Sequence, residues 1–120
     1  MSRISIKSVL KSSTDEHIYQ GKALLNNNKI SYNDHGIITR IILDDIIWLE
    51  RESNYLIKMG FSDNKDITGT YIIPEGTMEV KTVVESLLRE ENSIEIKYSV
   101  IINNVFIDNF VLNLIYTIDS

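Results

Sequence analysis

The chain has 120 residues, of which 24% are charged and 43% hydrophobic, and its formal net charge is −5. That length suits one domain with a buried core, and an acidic chain without a basic run excludes a phosphate-neutralising nucleic-acid module and an affinity for anionic membranes. No cysteine is present, which excludes disulfides, thiolate metal ligands and a cysteine nucleophile.

Composition also leans towards strands. Isoleucine is the commonest residue, against five glycines and one proline, and stiff β-branched side chains suit a pleated surface. Residues Met1 to Lys7 alternate in polarity rather than forming an apolar signal core, and no stretch approaches a membrane-spanning length. A cytoplasmic location is the default expectation.

Ile4, Ile6, Ser8 and Leu10 share one parity, which predicts a half-buried first strand. The polar run Lys11 to Glu16 turns the chain, and a second strand is expected from His17 to Leu25. Gly21 inside it predicts a bulge or a sharp bend. Asn26-Asn27-Asn28 tolerates left-handed geometry, and Lys29 to Tyr32 begins a third strand. Asn33-Asp34-His35-Gly36 is the clearest hairpin signal in the chain.

Ile37 to Leu43 and Ile46 to Glu52 follow as strands around an Asp44-Asp45 turn. After Ser53-Asn54, residues Tyr55, Ile57, Met59 and Phe61 share a face. Asp66 to Ile73 then runs up to the only proline, and Pro74-Glu75-Gly76 reads as a tight turn. Proline cannot donate to a ladder, and glycine supplies the positive φ that a reversal needs. From Thr77 to Arg89 two readings stand. Val80, Val83, Val84, Leu87 and Leu88 have helical spacing, while Met78, Val80, Thr82 and Val84 alternate as a strand.

Ile94, Ile96, Tyr98, Val100 and Ile102 alternate again, Asn103-Asn104 turns the chain, and Phe106, Phe110, Leu112, Leu114, Tyr116 and Ile118 share even parity at the end. The whole is an all-β, antiparallel meander of about eight to ten strands, which closes into a barrel or splits into a sandwich to avoid open edges. No boundary or repeat divides residues 1–120, so one domain is expected.

The order of Arg51, Met59 and Phe61, then Tyr71-x-x-Pro74-x-Gly76 with Met78, Val80 and Thr82, then Ile94, Ile96, Tyr98 and Val100, and finally Leu112, Leu114 and Tyr116, resembles the YwiB-like family. Those are small bacterial proteins described as calycin-like β-barrels of unknown function. The resemblance covers nearly the whole chain and rests on this order more than on any one motif. It implies a lipocalin-like closed barrel and makes Thr77 to Val84 a strand. It implies no activity, cofactor or catalytic residue.

Arg51 has the parity of Ile47 and Leu49, so a regular strand points its guanidinium inward. A buried Arg needs a carboxylate or a ring beside it. It then anchors an anionic ligand group, or it braces the barrel end by packing on Trp48 or a tyrosine. Tyr71, Tyr98 and Tyr116 can likewise line a pocket or fill a core. The only histidines, His17 and His35, show no ligand spacing with Asp34, Asp44 or Asp45 that demands a metal, and His35 is expected in solvent. Acidic groups such as Glu50 and Glu52 bracket strands and favour solubility. No phosphate loop, nucleophile elbow, dinucleotide fingerprint or other cofactor motif occurs, so enzyme activity is unsupported.

The expectation is a cytoplasmic barrel that binds a small apolar or amphipathic molecule. Its lining would comprise Ile57, Met59, Phe61, Tyr98, Phe110, Leu112, Leu114 and Tyr116, with Arg51 as the polar contact. The alternative is a filled barrel acting as a protein–protein module or homodimer, with the neighbourhood of Trp48 and Tyr55 as its patch. An enzyme at the barrel mouth stands third.

Overall fold

A computed structural model of the chain describes residues 1–119. They form ten strands: β1 (Ser2–Lys11), β2 (Glu16–Asn26), β3 (Lys29–Asp34), β4 (Ile37–Leu43), β5 (Ile47–Glu52), β6 (Leu56–Phe61), β7 (Ile67–Ile73), β8 (Gly76–Arg89), β9 (Ser93–Ile102) and β10 (Val105–Ile118). Each pairs antiparallel with the next, and β1 also pairs with β10, so the sheet closes on itself. The fold is all-β, as the alternation predicted, and of the two forms left open it is the closed barrel that the family resemblance implied.

The turns follow from local chemistry. Asn26 pairs with Lys29, Asp34 with Ile37 and Ile102 with Val105, which leaves two-residue loops. Asn27, His35, Gly36, Asn103 and Asn104 in those loops all have positive φ. Such turns match the right-handed twist of paired strands, and asparagine and glycine tolerate them best.

Inward side chains make one core. Ile4, Ile6, Ile30, Ile41, Ile47, Leu49, Phe61, Val80, Ile96 and Tyr98 are among its buried members. Each contributes through the period-two alternation of its strand.

Two bulges correct the simple parity. Register shifts between Val84 and Ser86 in β8, so the core-facing side chains run Val80, Thr82, Val84, Leu87. That spacing imitates a helix, yet the segment is strand from Gly76 to Arg89. A second shift, between Phe106 and Asp108, flips the start of β10. Phe106 therefore faces solvent, against the expectation that it shared the inner face. Tyr55 also falls outside its predicted strand, in the β5–β6 turn, with its ring edge-on to Tyr71 at 6.0 Å.

Gly21 marks no bulge, because the β1–β2 register runs unbroken through it. Its missing side chain makes room for Tyr19, whose ring folds back so that its hydroxyl donates to the Lys22 carbonyl at 2.8 Å. A Cβ at Gly21 would lie 3.0 Å from that hydroxyl.

Two ladders are short. β2 and β3 pair only at Leu24–Ser31, Leu25–Ile30 and Asn26–Lys29, and β6 and β7 only at Leu56–Ile72, Ile57–Tyr71 and Lys58–Thr70. At the β6–β7 seam the Thr82 hydroxyl of β8 donates to the carbonyls of Gly60 and Ile67. The β2–β3 seam is closed differently, by the side chains described next.

Candidate functional site

Asp34 ends β3 with the inward parity of Ile30 and Tyr32, Arg51 lies near the end of β5, and His17 near the start of β2. Antiparallel order brings all three to the same mouth. The Asp34 side chain is only 3% exposed. Its carboxylate meets three cationic or protonatable neighbours: His17 Nε2 at 2.6 Å from Oδ2, His35 Nδ1 at 2.9 Å from Oδ1, and Arg51 Nη2 at 3.2 Å from Oδ2. The hairpin turn holds His35 in place, with the Gly36 N–H donating to Asn33 Oδ1 at 2.7 Å.

Burial by itself would raise the pKa of Asp34. Hydrogen bonds from His17 and His35, with the charge of Arg51, outweigh it and hold the carboxyl below its ordinary 3.8. Asp34 is thus an anion in the wall of an apolar barrel, compensated from two sides.

The neighbouring phenols behave in the opposite way. Burial raises the pKa of Tyr32, although a hydrogen bond with Ser8 opposes the rise. Burial raises that of Tyr98 much further, only partly offset by Arg51. Both remain neutral hydrogen-bonding groups at physiological pH. The Tyr32 ring stacks on Tyr19 at 4.3 Å, across the seam from it. Tyr98 lies between Phe61 at 4.5 Å and Phe110 at 5.5 Å.

The nine residues expected to line a pocket divide into two sets. Met59, Phe61, Tyr98, Leu112, Leu114 and Tyr116 are buried together in the packed core. Arg51, Ile57 and Phe110 are partly buried and closer to the mouth. Tyr116 has the core role outlined above: its hydroxyl reaches the Glu91 carbonyl at 3.4 Å. Glu50 and Glu52 both pair with Arg40 on the outer wall, at 3.4 and 2.7 Å.

Sequence reasoning missed the meeting of both histidines at Asp34. His35 is 85% exposed, as a turn residue should be, yet its Nδ1 is engaged. The parity of Asp34 with Ile30 and Tyr32 was the available signal. Among the described residues no group of three or more His, Asp or Glu is arranged to hold a metal ion. The imidazoles instead address the carboxylate itself.

A small closed antiparallel barrel with a guanidinium and two imidazoles gathered on one buried carboxylate is therefore the class that fold and site define. A family model described as a domain of unknown function, DUF1934, matches residues 4–114. The chain belongs to that family. It is similar in structure to the ywiB protein from Bacillus subtilis, at 16% identity and a TM-score of 0.59, over 99% of this chain and 93% of that one. At that identity the likeness speaks for the fold. No curated protein matches the chain.

Proposed function

We propose that the chain is a non-catalytic binding barrel for a small amphipathic anion and works in the cytoplasm. The acidic head of the ligand lies at Arg51, and its apolar part rests on Ile57 and Phe110. One observation carries the reading. The Arg51 side chain is 20% exposed and contacts Asp34 through Nη2 alone. Among the described residues its other guanidinium nitrogens have no hydrogen-bond partner, so N–H donors are left for a carboxylate or a similar group. Deeper residues of the expected lining shape the floor and do not themselves touch the ligand.

The test is titration with an environment-sensitive fluorescent fatty acid, for wild type and for Arg51→Ala. An anchor predicts saturable binding that weakens about tenfold or more in the variant, measured where both proteins remain folded, because removing Arg51 also takes one partner from Asp34 and lowers the thermal midpoint. Equal affinity for both proteins, or no binding beside a lipocalin control, overturns the reading.

A second reading has its own support. Val105, Phe106 and Ile107 are consecutive, apolar and exposed at the β9–β10 hairpin tip. Contiguous exposed apolar surface favours a protein partner or a homodimer. Sedimentation across a concentration range, with Phe106→Ser as control, decides it.

A further inference from the structure

We infer that a ligand reaches Arg51 through the side of the barrel, between β2 and β3. This inference rests on the reading that Arg51 receives a ligand, but its geometry stands apart. On one edge β2 pairs with β1 over the full length from Leu25 to Glu16. On the opposite edge the ladder to β3 stops at Leu24–Ser31. Beyond that point the contacts across the gap are between side chains: the Tyr19–Tyr32 stack and the His17–Asp34 hydrogen bond. Side chains change rotamer far more readily than a ladder of backbone bonds breaks.

An open groove of about 830 Å³ sits where the ladder stops. Its lining includes the last paired residues, Leu24 and Ser31, and the next ones along each strand, Ala23 and Tyr32. On its rim Lys22 pairs with Asp119 at 2.9 Å, and Arg3 adds a second cation, which leaves the rim net positive. A groove with net positive charge on a chain of net charge −5 draws a small anion to this place. Tyr32 belongs to the groove and also lies within electrostatic reach of Asp34 and Arg51. It is the leaf that separates outside from inside.

The absence of cysteine makes a direct test available. Thr39 is buried and lies opposite Arg51 in the β4–β5 register. Thr39→Cys therefore places a lone thiol beside the guanidinium, and Ellman's reagent, an aromatic carboxylate, reports how fast an anion of the proposed kind arrives. Adding Tyr19→Ala, or His17→Ala if that variant folds poorly, should speed labelling roughly tenfold or more, beyond any change in the global unfolding constant from urea titration. Tyr71→Ala, at the barrel end, should leave the rate unchanged. Faster labelling with Tyr71→Ala and none with either seam variant overturns the lateral route. If the seam variants alone accelerate labelling while the fatty-acid titration fails, the opening stands and the ligand reading falls.

Discussion

His17 Nε2 lies 2.6 Å from Asp34 Oδ2, although the two residues belong to strands whose backbone ladder ended at Leu24 and Ser31. A regular continuation of that register would set Gly21, not His17, opposite Asp34. The seam has opened, and a side-chain bond spans it. The same carboxylate neutralises Arg51, so wall closure and interior charge depend on one residue.

Asp34→Asn should cost about 2–3 kcal/mol near neutral pH, somewhat below a fully enclosed pair because Arg51 reaches water. The acid profile should change with it. A folded-state pKa below 3.8 contributes stability that is present above that value and disappears as pH falls through the folded pKa. Urea titrations across the acid range should therefore show a larger loss in wild type than in the variant, which keeps the contributions of Asp108 and Asp119.

The larger share of the alkaline limb belongs to Tyr98, with Tyr32 contributing in the same direction. The folded pKa of Tyr98 is raised well above 10.0 by burial, so stability is whole below that value and lost as pH climbs towards the folded pKa. Tyr98→Phe keeps the ring between Phe61 and Phe110. It should flatten the decline above about pH 10 in thermal melts, with a change under about 1 kcal/mol at neutrality.

Thr82 ties the other seam by donating to carbonyls of β6 and β7. Thr82→Val keeps the volume and removes the donor, and should destabilise by about 1–3 kcal/mol in chemical denaturation. Thr82→Ser should recover most of the hydrogen-bond contribution.

Glycines separate two kinds of constraint. A Cβ on Gly69 would run into the Lys58 carbonyl, whereas one on Gly36 meets nothing within 4 Å but sits at a φ of +94°. Gly69→Ala should lose more than about 3 kcal/mol or fail to fold. Gly36→Ala should cost about 1 kcal/mol, the conformational penalty alone.

The strands were legible because alternation and turn chemistry are local, whereas closure into a barrel rather than a sandwich came from the family resemblance. Asn-Asn and His-Gly loops fell where the residues said, and Arg51 pointed inward by parity with Ile47 and Leu49. Thr77 to Arg89 was ambiguous for a physical reason: the bulge before Ser86 inserts a residue, and Val80, Val84 and Leu87 then mimic a helical stripe. Phe106 was misplaced by the same device in β10. The Asp34 cluster was hidden more deeply. Its partners come from β2, β5 and a turn, and His17 reaches Asp34 only because the seam departs from regular register.

The first strand is hydrogen-bonded on one side to β2 and on the other to the last strand, with Ile4 opposite Ile118. A nascent chain emerging from the ribosome therefore carries β1 with one bare edge until β10 has been made. Closure then joins the first and last strands of the barrel, a slow kind of contact to form because of their separation along the chain. Until that happens β1 and β9 both offer ladder positions to any strand nearby. Loss of the fourteen-residue β10 would make this exposure permanent, turning a closed barrel into a template for self-association.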